Sequence, residues 1–190
     1  MHYEPGGCIL YIVMLVLSKM ILQRPVMSLR THSQVATATQ AIINPNNLQI
    51  EGFYCTDSLE RKKQLILLHN DIRDVISAGL IINDHSDLAD IDDLVRLRKI
   101  IDLRFEIIGK KIRTQSKKRL GKVVDFAVDP ESMKILKIYA SQSLVKSLTG
   151  GSLSIDRNQI VEINDKEIVV QDAAERVEKP VPIFNAQPAS

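Results

Sequence analysis

Residues 120–140, LGKVVDFAVDPESMKILKIYA, predict two β-strands joined by a tight turn. Four apolar residues of the first strand share one parity: Leu120, Val124, Phe126 and Val128. Successive strand side chains point to opposite faces of a sheet, so this parity predicts one apolar face. In the turn that follows, Asp129 can bond the backbone and Pro130 presets φ. Residues 134–139, KILKIY, then return as a run with high β propensity.

A weaker copy of this hairpin occurs earlier, in residues 35–56, VATATQAIINPNNLQIEGFYCT. The turn prolines Pro45 and Pro130 are 85 residues apart (130 − 45). At that offset many residues correspond: Val35 with Leu120, Ala41 with Phe126, Ile43 with Val128, Leu48 with Met133, Ile50 with Ile135 and Tyr54 with Tyr139. The correspondence extends in both directions with small slips, so that residues 80–84 match residues 168–172. The sequence therefore predicts two similar units and not a solenoid, whose repeats are shorter.

Size and composition are those of an ordinary soluble protein. The chain has 190 residues, of which 45% are hydrophobic and 25% charged. Each unit has roughly 70 to 80 residues, near the lower limit for an independent core, and whether the units pack together is left open. A net charge of +2 gives no overall bias toward nucleic acid or anionic membrane. Cys8 and Cys55 fit no metal or redox pattern, and Cys55 is expected to be a small buried residue, which suits a reducing cytoplasm.

The predicted organisation has five parts. They are an N-terminal extension (1–17), a first unit (18–84), an acidic linker with a helix (85–104), a second unit (105–172) and a disordered, proline-containing tail (173–190). The linker helix is predicted over residues 91–103 with Asp90 as N-cap. Its apolar stripe consists of Leu94, Leu97, Ile100 and Ile101.

The extension contains a ten-residue apolar run at residues 8–17, CILYIVMLVL. A membrane-spanning helix needs about 20 apolar residues, and no secretory cleavage site follows the run. Two other interpretations are open. In one, the run is a strand that joins the first unit. In the other, translation naturally begins at Met14.

Four segments of the second unit carry a resemblance to a known family: Ile108-Gly109-Lys110-Lys111-Ile112, Leu120-Gly121-Lys122-Val123, Val128-Asp129-Pro130 and Ile160-Val161-Glu162-Ile163. On these segments each unit resembles a PRC-barrel domain, the family named for the photosynthetic reaction centre H subunit that also includes the C-terminal domain of a ribosome maturation factor. The resemblance covers nearly all of residues 18–172. The first unit departs from the pattern, because Gln23 and Ala36 stand at glycine positions. The resemblance implies a mainly β fold with two tandem small PRC-type β-barrels joined by a short α-helix, and a docking surface without catalytic motifs.

The strongest electrostatic feature is residues 110–122, which contain seven basic residues and no acidic one: Lys110, Lys111, Arg113, Lys117, Lys118, Arg119 and Lys122. Such a cluster could contact RNA phosphates, and its alternatives are a solvated loop balanced by acids elsewhere and contact with a partner protein or a membrane surface. No aromatic residue interleaves it, so base stacking is not indicated.

Other patterns do not indicate a reaction. The aspartates of residues 84–93 do not have EF-hand spacing, the four histidines are scattered, and no nucleotide-binding or hydrolase motif occurs. Asp125, Glu162 and Asp165 are acids at turns and strand ends with nothing converging on them. We therefore expect a non-enzymatic protein with no catalytic residue, no cofactor and no metal.

The leading expectation is a cytoplasmic adaptor that docks onto a larger protein assembly, with the partner's identity unknown. The first alternative is a ribosome- or RNA-associated protein that uses residues 110–122. The second is membrane-proximal docking anchored by residues 8–17. Self-association is left open.

Overall fold

The computed structural model describes residues 14–141 and 153–172. The fold is mainly β, as predicted, with two curved sheets, one of them a half-barrel. The strands are β1 (Val16–Leu17), β2 (Arg24–Ser28), β3 (Ser33–Asn44), β4 (Gln49–Asp57), β5 (Gln64–Leu68), β6 (Asp74–Ile76), β7 (Gly79–Ile82), β8 (Leu88–Ala89), β9 (Lys111–Thr114), β10 (Arg119–Val128), β11 (Ile135–Ser141), β12 (Leu153–Asp156), β13 (Ile160–Ile163) and β14 (Glu167–Val170). One α-helix of the described ranges, α1 (Val95–Ile101), lies between β8 and β9. Two closed PRC-type barrels joined by this helix remain a prediction.

The two sheets share one strand order. The first runs β6-β7-β2-β3-β4-β5 and the second β13-β14-β9-β10-β11-β12, and each contains one parallel pair, β2 with β7 and β9 with β14. Two short strands are added from outside the predicted units. Val16 of β1 pairs with Val128 of β10, and β8 pairs with β5. The predicted unit boundaries remain predictions, and the predicted disordered tail lies outside the described residues.

The sheets meet at the ends of the two matching hairpins. The Ile50 N–H donates to the Met133 carbonyl at 2.9 Å, and the Ile135 N–H donates to the Leu48 carbonyl at 2.8 Å. Leu48 corresponds to Met133 and Ile50 to Ile135, so the two hydrogen bonds are related by an approximate two-fold symmetry. Leu48 and Met133 are both buried and both left-handed, with φ of 53° and 52°. A single hydrophobic cluster joins residues of both sheets, so the two units pack together.

The apolar face of the second hairpin is confirmed except at Val124. Leu120, Phe126 and Val128 are buried, but the side chain of Val124 is 51% exposed, while Val123 is buried in its place. The cause is a β-bulge, because the register of β10 against β11 shifts between Val123 and Asp125. The extra residue reverses the faces of Val123 and Val124, and a second register shift, between Arg119 and Gly121 against β9, restores the alternation so that Leu120 is buried.

The helix is shorter than predicted and is capped differently. Residues Ile91–Asp93 form a 3-10 turn, and Leu94, whose φ and ψ are not helical, precedes α1. Asp90 makes no side-chain capping bond, so its predicted role as N-cap is wrong. The apolar stripe is correct, because Leu97 packs on Ile42 and Ile66 from the outer face of the first sheet.

Cys55 is fully buried in β4, as predicted. Burial raises the pKa of its thiol to about 12, which keeps the sulfur protonated at neutral pH.

Candidate functional site

The β9–β10 hairpin carries the basic residues, and its tip is held firmly. The Thr114 N–H donates to the Lys118 carbonyl at 2.9 Å, and Lys117 lies in the left-handed region with φ of 67°. Asp172 accepts the Ser116 hydroxyl at 2.6 Å and the Ser116 N–H at 3.1 Å. Hydrogen bonds from the Ser116 and Thr114 side chains hold the pKa of Asp172 below its usual range. The tip is therefore an ordered turn with Lys117 at its apex.

Three of the seven predicted contact residues have partners within the chain. The ammonium group of Lys110 donates to the carbonyls of Asn164 and Asp165 at 3.0 and 2.7 Å and lies 4.7 Å from the centre of the Phe105 ring. Arg113 forms an ion pair of 2.6 Å with Glu167, and Lys118 also has an interaction partner. Lys110 therefore has a structural role.

The other four basic residues face solvent: Lys111, Lys117, Arg119 and Lys122. Their side chains form no ion pair or hydrogen bond with any other residue of ranges 14–141 and 153–172. Together with Arg113 they form what we call the cation face.

The register of β9 and β10 places like charges directly opposite each other. Lys111 pairs with Lys122, and Arg113 pairs with Arg119. Opposed like charges on neighbouring strands destabilise a sheet. An anionic partner placed over the cation face would relieve that repulsion.

The first sheet has the same backbone register without these charges. Pro25 pairs with Thr37 as Lys111 pairs with Lys122, and Met27 pairs with Gln34 as Arg113 pairs with Arg119. Because the strand pairing is the same and the charges are not, the sheet itself does not need the cations. The cation face is a feature of the second sheet.

The acidic segment, residues 84–93, has local partners. Asp84 pairs with Arg30 at 2.6 Å, Asp90 with Lys63 at 3.3 Å, and Asp92 with Arg98 at 3.0 Å. Asp87 completes a capping box with Asp84 around the 3-10 turn. Within the described ranges no group of three or more histidine, cysteine, aspartate or glutamate side chains is placed to hold a metal ion.

Within the described residues, the three carboxylates considered for acid–base chemistry share no hydrogen-bond partner. Asp125 accepts the Ser18 hydroxyl at 2.5 Å and the Phe126 N–H at 2.8 Å. Glu162 accepts the Asn164 amide at 3.3 Å, and the side chain of Asp165 is exposed. The sequence did not indicate the hydrogen bond from Ser18 to Asp125, because this bond depends on β1 joining the second sheet.

Asp57 is a buried carboxylate away from the cation face. Its side chain is 4% exposed, and its Oδ1 accepts the Leu59 N–H at 3.0 Å and contacts the His85 ring nitrogen at 3.2 Å. Burial alone would raise the pKa of Asp57, but the hydrogen bonds from Leu59 and His85 and the positive charges nearby outweigh it and lower this pKa. The ionised carboxylate is thus favoured in the folded state.

We expect Asp57→Asn to reduce stability at neutral pH but not in acid. Because the pKa of Asp57 is lower in the folded state, the stabilisation is present above the ordinary aspartate value of about 3.9 and is lost as the pH falls through the folded value. Urea unfolding at a series of pH values from 7 down to about 2 measures the difference from wild type. Asp165→Asn is the control for the loss of one exposed charge. A difference that stays constant down to the lowest pH would contradict this account.

The largest groove described, about 590 Å³, lies between α1 and the end of β5. Its lining includes Leu68, Leu94 and Leu97. None of the helices in the described parts of the chain has the length and apolar character needed to cross a membrane.

Comparisons with known proteins give no family. No family model matches the chain, and no curated protein matches it. The PRC-barrel resemblance therefore remains a proposal.

Proposed function

We propose that the chain is a non-catalytic adaptor of the PRC-barrel type that docks onto a larger assembly through the cation face. The observation that carries this proposal is the pairing of Lys111 with Lys122 and of Arg113 with Arg119 on one exposed surface. Repulsion between opposed cations is a cost to the isolated protein. Glu167 offsets it in part through its ion pair with Arg113, and an acidic partner surface offsets the rest. The resemblance to PRC-barrel domains implies the same kind of role.

The proposed partner is a cytoplasmic complex, whether of protein or of protein with RNA. Docking anchored on a membrane by residues 8–17 has less support. Val16 and Leu17 are bonded to Val128 and Ala127 in the second sheet, so these two residues do not belong to a helix. The rest of that run, residues 8–13, lies outside the described residues.

We expect the double charge reversal Arg119→Glu and Lys122→Glu to abolish docking. Both side chains are exposed, so the variant should fold, while the contact surface loses two cations and gains two anions. The measurement is sedimentation of the protein with large complexes, membranes or the soluble pool of a native lysate, at low and high salt.

Arg61→Glu with Lys62→Glu is the matched control, because these exposed residues give the same change of net charge away from the cation face. Association that persists in the Arg119 and Lys122 variant would remove the proposal. So would membrane retention that survives high salt.

A further inference from the structure

We infer that the partner contacted by the cation face is the phosphate backbone of double-stranded RNA, bound without regard to sequence. This inference rests on the proposed function and names the chemistry of its partner. Four features of the cation face support it: the residue types, the spacing of the charges, the lack of aromatic residues and the position of the charges on the face of a sheet.

The residue types favour a nucleic acid over a protein. Three of the four cations without partners in the described ranges are lysines, Lys111, Lys117 and Lys122. Protein interfaces are depleted in lysine and usually rely on a buried aromatic, arginine or apolar anchor. On β9 and β10 the exposed large apolar side chain is Val124, which is too small for such an anchor. Interfaces with nucleic acids are instead strongly positive and polar.

The same composition argues against a lipid surface. Peripheral membrane segments combine basic residues with tryptophan, phenylalanine or leucine side chains that enter the bilayer. The exposed positions of β9 and β10 hold no aromatic residue and no leucine. Binding to a lipid surface would therefore depend on charge alone, which gives only weak attachment.

The spacing suits a run of phosphates. Alternate residues of a strand are about 6.6 Å apart, and directly opposite residues of an antiparallel pair are about 5 Å apart. Lys111, Arg113, Arg119 and Lys122 therefore mark the corners of a small rectangle, with Lys117 beyond one end of it. Several phosphates of one backbone strand can be neutralised at once over such an area.

The lack of aromatic residues and the position of the charges on a sheet face select a duplex. Proteins that bind single strands stack bases on aromatic side chains, which are missing from the cation face. Proteins that recognise B-form DNA insert a helix or a two-stranded ribbon into its major groove. A-form RNA instead presents a wide, shallow minor groove flanked by phosphates. Long basic side chains on the face of a sheet can reach the phosphates that flank that groove.

The test is binding of the full chain to a short blunt-ended RNA duplex, measured by fluorescence anisotropy over a series of salt concentrations. With four phosphates neutralised by the four cations that have no partner in the described ranges, the slope of log K against log salt should be about −4, a loss of roughly 100-fold or more between 50 and 200 mM salt. Arg119→Gln with Lys122→Thr introduces the residues that the first sheet carries in the same register, Gln34 and Thr37, so the fold should be kept. The slope should become shallower by about two units. Arg61→Gln with Lys62→Gln, which changes the net charge equally, should leave the slope unchanged.

Three results would overturn the inference: no binding to the RNA duplex at low salt, equal slopes for wild type and the Arg119 and Lys122 variant, or tighter binding to single-stranded RNA, to a matched DNA duplex or to vesicles rich in anionic lipid. The outcomes also distinguish the RNA inference from the proposed function. If RNA is not bound but the charge-reversed protein still fails to dock in the lysate, the RNA inference fails and the docking surface stands. If lysate docking is also unchanged by charge reversal, both fail.

Discussion

Phe126→Ala should lower the free energy of unfolding by about 3–5 kcal/mol. The Phe126 side chain is 1% exposed and belongs to the hydrophobic cluster shared by both sheets. Truncation to alanine removes the apolar contacts and leaves a cavity that a β-sheet core cannot easily close, because its neighbours are fixed by the strand ladder. Urea unfolding followed by circular dichroism measures the change.

Val124→Ala is the matched control on the same strand. Its side chain is half exposed, so we expect a loss of no more than about 0.5 kcal/mol. The ratio of the two effects tests the bulge directly. Equal losses at positions 124 and 126 would mean that the bulge between Val123 and Asp125 does not form.

Gly121→Ala should cost at least about 2–3 kcal/mol. Gly121 has φ of +142°, a conformation open almost only to glycine, and a Cβ atom built there would lie 1.9 Å from the carbonyl oxygen of Ser141. The clash is with backbone, so it can be relieved only if β10 and β11 move apart. Thermal and urea unfolding both report the loss.

Gly109→Ala separates backbone strain from steric clash. Gly109 also has positive φ, +85°, but nothing lies within 4 Å of its added Cβ. We expect a loss of only about 1 kcal/mol, since the left-handed conformation costs an L-residue roughly that much. The corresponding residue in the first unit, Gln23, adopts φ of 56° with its side chain in place. A Gly121→Ala protein as stable as Gly109→Ala would contradict the close approach of Ser141.

Much of the fold was readable from local patterns. The predicted hairpin of residues 120–140 is present as β10 and β11, because alternation and turn residues act over a few neighbouring positions. The offset of 85 residues also anticipated that Leu48 and Met133 are equivalent, and both adopt the same left-handed conformation.

The wrong predictions have physical causes that the local sequence pattern does not contain. A bulge adds one residue to a strand without any special residue type, so the exposure of Val124 was not visible in the sequence. Asp90 had the right residue type for a helix cap, but Leu94 interrupts the helical path after the 3-10 turn. The pairing of β1 with β10 joins residues more than a hundred positions apart, and local periodicity says nothing about it.

The candidate site was predicted as a list of charges and not as a surface. Sequence composition identified all seven basic residues, but it did not separate Lys110, which is bonded to the carbonyls of Asn164 and Asp165, from Lys111, which faces solvent. That separation depends on the loop before β14 lying beside β9. The opposition of Arg113 and Arg119 likewise depends on register, which a charge count does not contain.

The reciprocal contact of Leu48 and Ile50 with Met133 and Ile135 is the contact that two identical subunits make across a symmetry axis. A gene duplication that fuses such a homodimer removes its dependence on protein concentration, because the partner is always tethered. It also frees each half to change alone, which identical subunits cannot do. One half packs a helix against Ile42 and Ile66, and the other carries Lys111 and Lys122 on its strands. Covalent linkage thus allows the two halves to differ around a symmetric contact.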